Sequence, residues 1–131
     1  MGQPTPAQRM EHVIRTYIQA CNDADAEAIA ASFCPEAVHY SPSGLTWSGA
    51  ATIASNFVKI IREQGYCWTV DRLLIDVDHC TATLEWTRLN RHDARIVHGV
   101  ERFVFEPQTW CIQEIRVYPA ASVQPDTARS E

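Results

Sequence analysis

The sequence predicts an α+β domain in which three N-terminal helices pack on one face of a curved antiparallel sheet. Three observations predict it. Apolar residues recur at helical spacing through the first half of the chain, and from Tyr66 onward the period changes to two. The length of 131 residues, 46% of them hydrophobic, supplies one two-layer core and no more. With 21% charged residues, 5 Gly and 7 Pro, the composition is that of an ordinary soluble globule, outside the collagen-like, low-complexity and disordered classes. A net charge of -5, with Lys and Arg scattered along the chain, leaves no basic patch for a phosphate backbone, so nucleic acid is not an expected partner.

Thr5-Pro6-Ala7-Gln8 reads as a helix start, with Thr5 as cap, Pro6 in the first turn and Gln8 closing a capping box. The helix runs to about Cys21, with Met10, Ile14, Tyr17, Ile18 and Cys21 on one stripe, so Tyr17 faces inward. Asp25 caps a second, Ala-rich helix to about Phe33, closed by Pro35. Ala37 to Tyr40 reads as a short strand broken at Ser41-Pro42-Ser43-Gly44. A third helix follows from Gly49 to Gln64, with Ile53, Phe57, Ile60 and Ile61 inward and Gly65 as its stop. Tyr66 to Val77, Cys80 to Asn90, Arg95 to Glu106 and Trp110 to Tyr118 form an antiparallel meander. In its second strand Ala82, Leu84 and Trp86 alternate with Thr and Glu, giving one apolar face that the helices cover. The domain spans residues 1–118, and residues 119–131 have little to bury and read as a mobile tail.

This order resembles the nuclear transport factor 2-like superfamily, in particular its SnoaL-like polyketide cyclase and ketosteroid isomerase branches. The resemblance covers about residues 8 to 118. It is carried by Tyr17-Ile18-Gln19-Ala20 with Asn22-Asp23-Ala24-Asp25, by Phe33-Cys34-Pro35-Glu36-Ala37-Val38, by the Gly49 helix, and by Gly99 to Phe105 and Ile112 to Tyr118. It implies a cone-shaped half-barrel whose interior is a pocket, in homodimers packed through the outer sheet face. Position by position, Glu101 falls where related isomerases and cyclases hold a functional Asp on the third meander strand. Tyr17 falls on the isomerase's oxyanion-binding tyrosine, whereas Ser41 stands where the isomerase has its basic Asp, so ketosteroid isomerisation itself is not implied.

Strand parity gives the pocket lining. A hairpin at Arg91 to Ala94 places Leu84 near Glu101 and Trp86 near Gly99, and one closing at Pro107 to Thr109 places Glu101 near Ile115 and Gly99 near Val117. A carboxyl among Leu84, Phe103 and Ile115 is costly to ionise, so its pKa rises and Glu101 becomes the leading acid–base candidate. His39, two residues before Ser41 on the same strand face, is its proposed partner, and Tyr17 the donor to a developing enolate. Ser41, Trp47, Trp68, Leu84, Trp86, Phe103, Ile115 and Val117 are the expected substrate-binding residues. The same positions also suit plainer roles: an inward Glu bonded to backbone or water, a core tyrosine, and packed tryptophans. Epoxide hydrolases of the superfamily need an Arg/Asp pair and a second Asp in the cone, which inward Leu84, Trp86 and Val117 do not supply.

Parity sends Thr83, Glu85, Val100, Arg102, Glu114 and Arg116 to the convex face, where mixed charges around Val100 suit a homodimer interface, and gives His98 the same side. Asp76-Val77-Asp78-His79 is the best local metal cluster but reads as a hairpin turn, so no metal is expected. No dinucleotide, P-loop or nucleophile-elbow motif is present in the sequence, leaving cofactor-free chemistry. The five cysteines are odd in number and widely spaced and read as reduced thiols. With no membrane span and no leader pattern, the expected location is cytoplasmic. The expected function is cofactor-free proton transfer (cyclisation, isomerisation or dehydration) on a largely apolar or aromatic carbonyl compound. The alternative is a non-catalytic ligand-binding or dimerisation module of the same fold.

Overall fold

The capping box forms as the sequence predicts: Gln8 N–H donates to Thr5 Oγ1 (3.1 Å) and Thr5 N–H to Gln8 Oε1 (2.8 Å). In this computed structural model, which describes residues 2–120, helix α1 (Pro6–Asn22) buries Met10, Ile14, Tyr17, Ile18 and Cys21. Of the expected tail from residue 119, Pro119 instead closes the last strand and Ala120 N–H donates to the His98 carbonyl (3.0 Å), while residues 121–131 lie outside the described residues. Asp25 caps α2 (Ala26–Ala31) by accepting from Ala28 N–H at 3.1 Å. That helix stops before Phe33, because the Ser32 carbonyl already accepts from Ile112 N–H (3.0 Å) and Phe33 pairs with Ile112 as the start of β1 (Phe33–Tyr40). The strand is therefore longer than the sequence indicates, and its Pro35 falls within a register shift between Phe33 and Val38, where proline's missing donor is tolerated. The chain turns back through β2 (Thr46–Ser48) into α3 (Ala50–Gln64), capped by Gly65 in the left-handed conformation (φ 68°).

Four strands complete the chain: β3 (Tyr66–Asp76), β4 (Thr81–Asn90), β5 (Arg95–Phe105) and β6 (Ile112–Pro119). They form the predicted antiparallel meander within one six-stranded sheet of order β2-β1-β6-β5-β4-β3. The sheet as a whole is mixed, because β1 joins β6 in parallel, His39 lying opposite Ile115. The helices cover one face, α1 lying on β3 and α3 on β1. Asn22, at the end of α1, ties that layer to the sheet: its Nδ2 donates to the Trp68 carbonyl (3.0 Å) and its Oδ1 accepts from Trp68 N–H (2.7 Å). No helix among the described residues is long and apolar enough to cross a membrane.

The β4–β5 register is the predicted one, with Leu84 opposite Glu101 and Trp86 opposite Gly99. The β5–β6 register is displaced by two residues: Glu101 faces Val117 rather than Ile115, and Gly99 faces Pro119 rather than Val117. The cause is a longer loop and a shift between Val104 and Phe105. Trp110 N–H donates to the Glu106 carbonyl (2.8 Å) and Glu106 N–H to the Cys111 carbonyl (2.9 Å), so pairing resumes only at Ile112. Because the displacement is even, each side chain keeps its face.

The cysteines depart from expectation. Cys34 and Cys111 form a disulfide across 77 residues of sequence, leaving Cys21, Cys67 and Cys80 as thiols. Parallel pairing of Phe33 with Ile112 brings the two Cα atoms to 5.1 Å, a proximity that spacing along the chain could not reveal. The bond removes the reduced-thiol argument for a cytoplasmic location. Closing so long a loop constrains the unfolded chain, so replacing both cysteines by serine is expected to cost about 2–5 kcal/mol. An unchanged urea midpoint in that double variant would count against a stabilising bond.

On the convex face Glu114 pairs with Arg116 (2.6 Å) and more distantly with Arg102 (3.9 Å), and the Arg116 guanidinium lies 4.0 Å from the Tyr40 ring centre. Glu85 makes no ion pair among the described residues. His98 lies outside the interior cavity, its Nδ1 3.0 Å from the Thr87 hydroxyl.

Candidate functional site

On the covered face a cavity of about 300 Å³ lies between α3, with Phe57 and Ile60, and the strands. Its mouth is the β1–β2 turn, with Ser41, Pro42, Ser43 and Leu45 at the rim. Its walls are aromatic: Trp47 from β2, Phe57 from α3, Tyr66 and Trp68 from β3, and Trp86 from β4. Besides the phenol of Tyr66, three ionisable residues line it: His39 from β1, Arg88 from β4 and Glu101 from β5. The Asp76–His79 cluster is a turn in which Asp76 Oδ2 lies 2.9 Å from His79 Nδ1, and among the described residues no three His, Cys, Asp or Glu converge as metal ligands.

His39 is buried between two rings, stacked on Trp47 (centroids 5.3 Å apart) and edge-on to Phe57 (4.8 Å). Neither ring nitrogen has a hydrogen-bond partner among the described residues. Burial lowers its pKa to about 4, so the imidazole is neutral at pH 7 with one N–H to donate. Glu101 is equally enclosed, its Oε1 unpartnered. Burial pushes its pKa up to about 8, and the opposing pull of Arg88 is too weak to reverse the shift.

Arg88 is half-buried, its guanidinium 3.9 Å from the Tyr66 ring centre and its Nε donating to Asn90 Oδ1 at 2.8 Å. Trp86 lies flat over Gly99: a Cβ built there would come within 2.5 Å of the indole. Gly99→Ala is therefore expected to lower stability by about 1–3 kcal/mol through overpacking and to alter the tryptophan emission. An unchanged denaturation midpoint and spectrum would show that the indole moves aside freely.

The sequence profile of the SnoaL-like domain matches residues 14–111. The chain belongs to the SnoaL-like family. Among curated proteins, none matches it. Of solved structures, a Methylobium petroleophilum PM1 protein of unknown function with a cystatin-like fold is 37% identical, over 94% of this chain and 83% of its own, with a TM-score of 0.84. At lower identity the likeness concerns the fold. An NTF2-like protein from Cytophaga hutchinsonii is 14% identical, over 90% of this chain and 92% of its own, with a TM-score of 0.71. A candidate polyketide cyclase from Sinorhizobium meliloti is 19% identical, over 84% and 98%, also with a TM-score of 0.71.

In this SnoaL-like cone, Glu101, His39, Ser41, Trp47, Trp68, Trp86 and Val117 all line the one cavity. Tyr17, Leu84, Phe103 and Ile115 do not line it. They share its face but lie where the helices seal the core, each at most 1% exposed. Tyr17 packs edge-on against Phe33, Phe57 and Phe103. Burial, then the neighbouring Cys21 and Glu101, raise its hydroxyl pKa well above the usual value. Arg88 and Tyr66 are lining residues that the pocket expectation omitted. Arg88 was legible as the next same-face position after Trp86.

Proposed function

We propose that this SnoaL-like protein catalyses cofactor-free proton transfer next to a carbonyl group in a small, largely apolar or aromatic compound. The observation carrying this reading is the pairing, in one aromatic enclosure, of two buried side chains without protein partners whose pKa values are driven apart. Glu101, at about 8, is a base matched to near-neutral operation: its ionised fraction takes the α-proton. Neutral His39 donates its N–H to the carbonyl oxygen as enolate charge develops, the role expected of Tyr17, whose hydroxyl lies outside the cavity. The proton held by Glu101 then returns to the enolate at the same or a neighbouring carbon, giving exchange or isomerisation. The polyketide cyclase description of the Sinorhizobium meliloti neighbour fits this class of chemistry.

The test is deuterium exchange at the α-carbons of 2-tetralone in D2O, followed by proton NMR. The protein is expected to accelerate exchange above buffer and its own heat-denatured control. No acceleration at saturating ketone would leave the binding module ahead. That second reading draws on Ser41, which supplies no carboxylate at the mouth and pairs its hydroxyl with Ser43 (2.8 Å).

We also infer that the convex face self-associates as a two-fold dimer. Because the Glu114 pairs of two copies would lie across one axis, Arg102→Glu is expected to raise the dimer dissociation constant about ten-fold or more. Sedimentation of the wild type as a monomer at micromolar concentration would overturn the assembly.

A further inference from the structure

We propose that the cavity takes its ligand as an anion, a planar aromatic or fused-ring carboxylate held by Arg88 with its rings against Trp47, Trp68 and Trp86. This deepens the reading above and rests on the cavity being the ligand site, though not on turnover.

Arg88 is fixed on one face and at one corner. Tyr66 covers the face, at 3.9 Å, and Nε is committed to Asn90 Oδ1, on a side chain only 3% exposed. A guanidinium offers five donors, and stacking on a ring uses none of them. Its terminal N–H groups have no protein acceptor among the described residues. Nor does any carboxylate among the described residues lie at ion-pair distance: Asp93, on the adjoining hairpin, pairs instead with Arg95 (3.9 Å). Glu101 is near enough to be felt but stays mostly protonated at pH 7, so it does not neutralise the cation.

A half-buried cation with no carboxylate in contact is costly: burial lowers the Arg88 pKa, and the pull of Tyr66, Asp93 and Glu101 does not offset it. A ligand carboxylate placed edge-on to the two terminal nitrogens removes that cost through two parallel hydrogen bonds. Among the described residues Arg88 is the sole Lys or Arg lining the cavity, so one negative charge is matched and a phosphate dianion is not. The aromatic walls and the 300 Å³ volume suit two fused rings. Unpartnered His39 and Glu101 line the same cavity and remain free to engage a carbonyl group on such a ligand.

The test compares 2-naphthoate with 2-naphthamide, equal in shape and different in charge, by calorimetric titration at pH 7. Wild-type protein is expected to bind the acid about ten-fold more tightly or better. Arg88→Met keeps the apolar stem and removes the charge, and is expected to bring the two affinities together while leaving that of the amide nearly unchanged. Arg88→Lys, which keeps the charge without the fork, is expected to fall between. Equal or tighter amide binding by the wild type, or no binding of either probe at millimolar concentration, overturns the proposal, whether or not the variants fold. Glu101→Gln separates the two readings: it is expected to lose exchange activity while keeping its preference for the acid. Preference for the acid without any ketone exchange in the wild type would overturn the catalytic reading alone.

Discussion

Glu101→Gln is expected to slow α-proton exchange of 2-tetralone by about 10²–10⁴-fold while leaving the fold intact. Glutamine matches the volume of the buried carboxyl, so the rows of Leu84 and Val117 on either side need not move. What it lacks is a site of sufficient basicity, and Ser41 at the cavity mouth offers no substitute. The wild-type rate should climb about ten-fold per pH unit below neutrality and level off above about 8, where Glu101 is fully ionised. The residual rate of the variant should lack that rise. Full activity in Glu101→Gln at saturating ketone would remove Glu101 from the mechanism.

The stability of the protein should show a second, larger signature of the same burial. Glu101 titrates near 4.5 when unfolded and near 8 when folded. Its contribution is therefore complete below 4.5 and is lost as pH rises toward 8, because the unfolded chain ionises first. His39 runs the other way, near 6.5 unfolded and 4 folded, so its contribution is complete above 6.5 and is lost as pH falls toward 4. Between 4.5 and 6.5 the two slopes oppose each other and cancel. From 6.5 to 8 Glu101 acts alone, and stability should fall by roughly 2 kcal/mol. In Glu101→Gln the curve should instead rise from pH 4 to 6.5 and then stay flat, so the difference between the proteins grows to roughly 5 kcal/mol by pH 8. Urea midpoints measured across this range check the prediction. Parallel curves for the two proteins would mean that Glu101 ionises as easily folded as unfolded.

Local chemistry made much of this molecule legible from its residues. The Thr5–Gln8 capping box, the Met10–Cys21 stripe and the Leu84–Glu101 pairing each depend on neighbours or on a short hairpin, and each formed as the sequence indicated. The β1–β6 seam and the Cys34–Cys111 bond join residues far apart in the chain, for which no local pattern exists. The two-residue displacement of β6 arose from hydrogen bonds within the Glu106–Cys111 loop that composition does not specify. Parity placed Tyr17's neighbour Phe103, together with Leu84 and Ile115, on the correct face. How far along that face the helices would reach was a matter of tertiary packing, and it decided which residues met the cavity and which were sealed beneath.

The parallel seam also dictates when the cavity comes into being during synthesis. His39 and Trp47 leave the ribosome early, Glu101 and Val117 late, and within the sheet, among the described residues, β1 meets the meander only through β6. A nascent chain that has not yet delivered Ile112–Pro119 leaves β1 with β2 as its sole sheet partner and its other edge open. Both ionisable groups then exist in one molecule without a common enclosure. The chamber appears only with the arrival of the last strand, so a polypeptide ending at Phe105 would carry Glu101 and His39 and still have nowhere to bring them together.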